Sequence, residues 1–475
     1  GIFQRATNFD PFEKVGVYIP NKTPTRYGSG QTIERITSMI VSSSSVASGI
    51  FLHAFSSSST SFYRIDAEDG TVVDQTGRIA ATSIYSAIVY KNKSVFATST
   101  SVTAHDFPPS TQSGNEVTLL TGLTAPVGNI HSFHIGPDRV LYATNAQYIA
   151  RITSVTGTSG NAAQYLTFEA DVQTKDLDDD GQHLIIAGDT MPNTATNIGG
   201  LFRCFVAFWN MKSQDLTRIW EFQDERVYGV ASVEDEVLVF GRNNIYTCSV
   251  NSRPRILLPL KGNSSLASAL SNPNAIFKKD NSVVLWGAGT SIRGYGRIHP
   301  SLPKVLFTAY TIPSFAGFTE ITSLIGTPDA NGTFKLWAAT DASGTVSRVY
   351  AFDATSTETS TVTLAGIDFK QPYEFSFAKV VLDQKLDNGQ SVDIKILNDD
   401  VTVLRNTQGT DNSFDNATFP GKKSHIFYPY PGATATSTIA LFENLSDISI
   451  TNKGASIKRF EIWAKPVKPD QDVYK

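Results

Sequence analysis

Asp178-Asp179-Asp180-Gly181-Gln182-His183-Leu184-Ile185-Ile186-Ala187-Gly188 is a tight polar turn followed by an apolar run that ends in a small residue. The same pattern occurs seven times. The apolar runs are Ile50-Phe51-Leu52, Val95-Phe96-Ala97, Val140-Leu141-Tyr142, Leu184-Ile185-Ile186, Val237-Leu238-Val239, Val283-Val284-Leu285 and Phe334-Lys335-Leu336. Aligned on Leu52, Phe96, Tyr142, Ile186, Val239, Leu285 and Leu336, they are 44, 46, 44, 53, 46 and 51 residues apart. A period of about 47 residues is the size of one propeller blade.

The turns carry their own signature, because a hairpin between short strands needs residues that tolerate positive φ or bond back to the backbone. Lys91-Asn92-Lys93, Gly136-Pro137-Asp138, Glu234-Asp235-Glu236, Lys279-Asp280-Asn281 and the segment from Pro328 to Gly332 supply them. With further strand-like runs before and after each turn, the unit reads as four short strands. A sandwich gives no reason for such a unit to recur, whereas a ring of blades packed only on their neighbours does. The expected fold is all-β: a seven-bladed β-propeller, with six or eight blades as the alternatives, followed by a small C-terminal β-sandwich or jelly roll. The expected boundaries are an extended N-terminal arm at 1–33, the propeller at 34–364, the sandwich at 365–467 and a polar tail at 468–475. The arm has two readings, a strap that closes the last blade and a segment that docks on another subunit.

Composition narrows the function. The 40 Lys plus Arg against 44 Asp plus Glu leave a net charge of −4, without the basic surface that displaces counterions from phosphate. Nucleic-acid readout is not expected. No stretch reaches the length of apolar residues that a spanning helix needs, and the start lacks a signal-peptide pattern, so a soluble mature chain is expected. Charged residues are 18% of the chain, and solvation therefore falls largely to its Ser and Thr hydroxyls, as on particles and extracellular structures. Cys204 and Cys248 are too few for a disulfide framework and read as buried thiols.

Among chemical motifs, Asp176-Leu177-Asp178-Asp179-Asp180-Gly181 reproduces the opening of a calcium loop, which makes Asp176, Asp178 and Asp180 the metal candidates. The twelfth position is Ala187 in place of the bidentate Glu, so an Asp-rich hairpin turn stands beside the calcium reading. His131 and His134, three apart in a strand, would face opposite ways. No nucleophile elbow, zincin helix or phosphate loop is present, and no catalytic residue or cofactor site is assigned; the expectation is a protein that is not an enzyme. The five tryptophans, Trp209, Trp220, Trp286, Trp337 and Trp463, fall in strand-like runs and read as core.

Three features resemble structural proteins of tailed-bacteriophage virions, in particular the propeller-containing hub, adaptor or nozzle components of short tails. They are the opening from Asn8 to Gly16 with its proline-bearing arm, the hydroxyl-rich, Cys- and Met-poor propeller, and the terminal β-domain ending at Ile457 to Val467. The resemblance implies a non-enzymatic virion protein, made in the host cytoplasm, present in several copies around a tail or vertex and partnered by other virion proteins. Two alternatives stay open: a carbohydrate-binding adhesin, which would expose aromatics such as Tyr428 and Tyr430, and a propeller glycoside hydrolase with paired carboxylates.

Overall fold

The computed structural model describes residues 3–7, 9–14, 17–20, 25–27, 35–41, 49–56, 62–76, 83–106, 116–124, 131–190, 202–260, 275–280, 282–288, 294–300, 306–311, 321–328, 334–340, 348–352, 360–364, 367–386, 390–398, 402–403, 412–415, 418–429, 434–446 and 456–467. These residues form strands, turns and connecting segments, with no α-helix among them and none long and apolar enough to cross a membrane. The chain packs as two units. One holds residues 1–24, 302–311 and 353–475, the other 25–301 and 312–352.

Strands β1 (Phe3–Thr7), β2 (Phe9–Lys14) and β3 (Val17–Pro20) belong to the first unit, and β4 (Thr25–Tyr27) opens the second. Five antiparallel sheets follow in chain order. They are β5 (Arg35–Val41), β6 (Gly49–Phe55), β7 (Phe62–Asp66) and β8 (Val72–Asp74); β9 (Ser86–Tyr90), β10 (Lys93–Ala97), β11 (Ser101–Asp106) and β12 (Val117–Thr121); β13 (Phe133–Ile135), β14 (Leu141–Asn145), β15 (Tyr148–Ile152) and β16 (Ala162–Thr167); β17 (Val172–Asp179), β18 (Leu184–Thr190), β19 (Phe202–Trp209) and β20 (Arg218–Asp224); and β21 (Val227–Val233), β22 (Glu236–Gly241), β23 (Asn244–Ser249) and β24 (Ser252–Pro259). Next come the antiparallel neighbours β25 (Ile276–Lys279), β26 (Val283–Ala288) and β27 (Gly294–His299). β28 (Leu306–Thr311) lies in the first unit, while β29 (Ile321–Pro328), β30 (Phe334–Thr340) and β31 (Arg348–Ala351) return to the second.

The sheet of β29, β30 and β31 takes its fourth strand from the other end of the chain, because β4 pairs with β31 through Tyr27 and Val349, Arg26 and Tyr350, and Thr25 and Ala351. The first strands of the successive sheets touch in the order β5, β9, β13, β17, β21, β25, β29 and again β5. Apolar clusters join neighbouring sheets in the same way. Leu141 and Ala150 pack with Val95 and Leu119, Tyr142 and Ile149 with Ile186 and Trp209, and Ile185 and Phe208 with Val230 and Val239. Leu52 and Ile65 pack with Trp337 and Val349.

The turns behave as their composition demands. Lys91, Asn92, Arg139, Glu234, Asp280 and Gly181 all have positive φ at the hairpins that lead into the second strands. Gly70 joins a φ of +77° to a close approach, since a Cβ there would lie 2.0 Å from the ring of Tyr27 in β4.

In the first unit the strand order is β2, β3, β39 (Ile457–Pro466), β33 (Ile367–Leu382), β38 (Thr434–Ser446), β32 (Ser360–Leu364), β1 and β28. β34 (Gln390–Asn398) adds to β38 and carries β35 (Thr402–Val403) and β36 (Asn412–Asp415), and β37 (Ser424–Phe427) adds to β33. Phe375, Ala378 and Val380 of β33 share a core with Val392 and Ile394 of β34, Phe427 and Ile457. Residues of the expected arm are thus strands, three in this unit and one in the sheet of β29, β30 and β31. The expected polar tail at 468–475 and Tyr430 lie outside the described residues.

Tryptophan burial divides the five. Trp209, Trp286 and Trp337 are fully buried, whereas Trp463, which the sequence assigns to a core, is 55% exposed on the outer face of β39. Alternation explains it: Phe460, Ile462 and Ala464 of that strand pack on the core and turn Trp463 outward, while the bulge between Ile457 and Arg459 brings Ile457 to the core face as well. Trp337 is the anchor of the sheet that β4 completes, with its indole donating to Thr327 Oγ1 at 2.9 Å and Tyr27 against its ring. Trp337→Ala is expected to cost about 3–5 kcal/mol in unfolding free energy, read by denaturant titration.

Candidate functional site

The densest polar cluster of the described residues lies on the first strands β13, β17, β21 and β25. A bulge between Thr174 and Asp176 sets the phase of β17, and Gly188 opposite it leaves no room for a Cβ, which would come within 2.5 Å of the Gln173 carbonyl. Asp176 and Asp178 then share one side of the strand. On β21, Gly229 plays a matching part, because a Cβ there would meet Ile276 at 2.2 Å and a carboxylate oxygen of Asp176 at 3.0 Å.

Asp176 is buried and accepts a hydrogen bond from Ser132 Oγ at 2.5 Å and one from the Val230 amide at 2.9 Å. Burial pushes its carboxyl up to about 7, against the lowering effect of those donors. Asp178, also buried, accepts from the Ser232 amide at 2.6 Å and from Lys278 Nζ at 2.8 Å. His134 lies with Nδ1 3.8 Å from Asp178 and Nε2 2.6 Å from Asp179. Burial works against the charge on Asp179, but the bond from His134 and that from the Gly181 amide hold its carboxyl below the usual range. Asp189 extends the pattern, accepting from the Val227 amide at 3.1 Å, and its carboxyl is raised by burial.

Three amides of β21 therefore end on carboxylates from β17 and β18. These contacts satisfy backbone groups of a strand that the ladder to β22 leaves open on its other side. Asp180 takes a different course, accepting from the Gln182 and His183 amides of its own turn at 2.9 and 2.7 Å and lying 3.0 Å from His183 Nδ1. The three calcium candidates accordingly do not converge: Asp176 and Asp178 reach towards β21, and Asp180 folds back on its hairpin. Among the described residues the side chains close enough to share an ion are His134, Asp178 and Asp179. Their oxygens already hold Lys278, His134 and backbone amides.

His131 and His134 do separate, as their spacing requires. His131 is buried, its pKa lowered chiefly by burial, and its Nδ1 lies 2.7 Å from the Thr144 carbonyl, to which the neutral ring donates. The sequence reading did not single out Ser132, Ser232 or Lys278. Their signal is the period itself, since His134, Asp178, Ser232 and Lys278 follow one another at 44, 54 and 46 residues, nearly the spacing of the corresponding apolar runs. Two repeat positions, two residues apart, thus carry most of the cluster: His134, Asp178, Ser232 and Lys278 at one, Ser132 and Asp176 at the other. A second polar feature is an open groove of about 370 Å³ between hairpins, lined by Asp180, His183, Glu234, Asp235 and Asn251.

No protein-family model and no curated protein matches this chain. Solved structures similar to it include the computationally designed Ika8 protein, at a TM-score of 0.38 and 8% identity over 74% of this chain and 99% of that one. The Mitotic Checkpoint Complex contains a chain similar at 0.41 and 12%, covering 68% and 94%. BBS1N in complex with ARL6DN gives 0.45 and 9%, covering 71% and 98%. The strand order and shared cores define the class of this chain as a propeller-like all-β protein.

Two outcomes follow from the cluster. Because the folded pKa of Asp176 lies above the unfolded one, the folded state binds the extra proton between about pH 4 and 7, and this group's contribution to stability falls as pH rises through that window. Asp176→Asn is expected to remove that decline, so its stability relative to the wild type rises from pH 5 to pH 8; parallel urea-denaturation profiles would contradict the assignment. Because the carboxylates are already engaged, millimolar calcium is expected to leave the melting temperature of the wild type unchanged, as read by differential scanning calorimetry.

Proposed function

We propose that this chain is a non-enzymatic structural protein, a seven-bladed β-propeller with a small C-terminal β-sandwich, that serves as a rigid assembly platform in the tail or vertex of a phage virion. The observation that carries the reading is where the inner carboxylates go. Asp176, Asp178 and Asp189 are buried and bound to amides of the adjoining sheet, an arrangement that stiffens a scaffold and spends these acids on backbone donors. Closure of the β29 to β31 sheet by β4 adds to the same rigidity. A rigid disc loses little conformational freedom on assembly, which favours large, many-contact complexes over small-molecule turnover.

The seven-blade count is supported by the cyclic order of first strands, and the sandwich by the core that β33 shares with β34. The virion setting is supported by the resemblance in the opening segment and by the hydroxyl-rich, weakly charged composition. Partners in this reading are other virion proteins, in several copies around a symmetry axis. Quantitative mass spectrometry of purified particles against a capsid standard is expected to give a fixed small copy number, in a multiple of three or six. Absence of the chain from particles would overturn the proposal.

A further inference from the structure

Three neighbouring strands of the terminal unit, β37, β33 and β39, turn one face to the core through Phe427, Ala378, Val380 and Ile457. A soluble sheet ordinarily presents polar residues on the opposite face. Here that face carries an aromatic group. Phe377 of β33 is in register with Trp463 of β39, and their rings lie 5.3 Å apart at an interplanar angle of 22°. Tyr428, just beyond β37, continues the row at 6.5 Å from Phe377. Trp463 is 55% and Tyr428 57% exposed. Charged side chains border the rings: Arg459 pairs with Glu461 at 2.7 Å, Lys465 pairs with Glu374 at 2.9 Å, and the Trp463 indole donates to Glu461 at 3.4 Å.

The size and the border decide what such a face can hold. With each aromatic side chain offering about 150–250 Å² in full, the exposed rings present roughly 300 Å². A stable protein interface needs about 800 Å² per partner, with Lys and Glu depleted at its centre. This patch falls short of that and is closely ringed by such charges. It matches a smaller ligand with flat apolar faces and hydrogen-bonding edges. A pyranose ring has that form, since its C–H bonds make apolar faces and its hydroxyls project from the perimeter. Trp463, stacked on Phe377, and Tyr428 offer the exposed planes, while the Arg459 and Glu461 pair offers donors and acceptors for paired hydroxyls.

We infer that the outer face of β37, β33 and β39 is a carbohydrate-binding platform, on which Trp463, backed by Phe377, and Tyr428 stack pyranose rings of a glycan chain and Arg459 with Glu461 bond their hydroxyls. This goes beyond the assembly role and is independent of the copy number in particles. The full chain would be applied to a printed array of bacterial surface polysaccharides and titrated with cellohexaose, chitohexaose and maltohexaose, with tryptophan fluorescence as one readout and calorimetry as the other. Trp463 is the exposed reporter, because Trp209, Trp286 and Trp337 are buried and Trp220 is half-buried, and the Trp463→Ala chain separates its signal from theirs. Saturable binding of at least one saccharide is expected, with a blue shift in emission. Trp463→Ala should weaken it at least tenfold and Tyr428→Ala several-fold, both with unchanged melting temperature. Silence across the array and all three titrations would overturn the inference, as would binding that survives Trp463→Ala. So would a self-association, seen by sedimentation velocity, that Trp463→Ala abolishes, because that gives the face to a second copy.

Discussion

Each four-stranded sheet in the larger unit has two apolar faces and too little material to cover either. Ile185, Ala187, Phe208 and Cys204 project from one sheet into a core completed by Val230, Val239 and Tyr246 of the next, and Tyr142, Ile149 and Leu166 do the same on the preceding side. The shared face is the constraint from which the rest follows. A linear stack would leave two terminal faces wet, and burying about 25 cal/mol for each Å² of apolar surface gives a strong drive to bring them together. Leu52, Ile65, Trp337 and Val349 are where the first and last sheets meet.

Once sheets are shared face to face, their first strands lie edge to edge without a full ladder between them, and the polar groups there need other partners. The carboxylates of Asp176, Asp178 and Asp189 meet that need for β21. A buried carboxylate costs several kcal/mol unless it is well hydrogen-bonded, and its worth here lies in fixing which strand sits beside which. Asp176 and Asp178 differ instructively. One has only neutral donors and is pushed towards protonation, whereas the other has Lys278 beside it.

Much of this was legible in the residues. The repeat, its turns and the all-β class follow from apolar runs at a near-constant interval, and positive φ at Asn92, Glu234 and Asp280 occurs at hairpins named for their composition. The polar cluster was half legible, because the Asp-rich motif drew notice but its partners Ser132, Ser232 and Lys278 look ordinary until the period is applied to them. Two features were hidden for physical reasons. Strand β4 is three residues between a proline and a glycine, too short to show alternation, and its place depends wholly on a partner far along the chain. Trp463 sits in an alternating strand whose outward face cannot be told from its inward one without knowing what packs on it, since aromatic residues occur on both.

The pairing of β4 with β31 also sets a clock. Roughly 320 residues separate Tyr27 from Arg348, so a ribosome adding about 5–20 residues per second exposes the short strand long before its partner exists. Until β4 and β31 pair, Tyr27 is kept from the ring of Trp337, and the last sheet presents an open edge of the kind that recruits other strands. Sheets of local hairpins form early and in order, while closure of the larger unit waits for its most distant strand pair. Birth of the larger unit is therefore a vectorial process with a late latch, and its most vulnerable moment falls just before β4 meets β31.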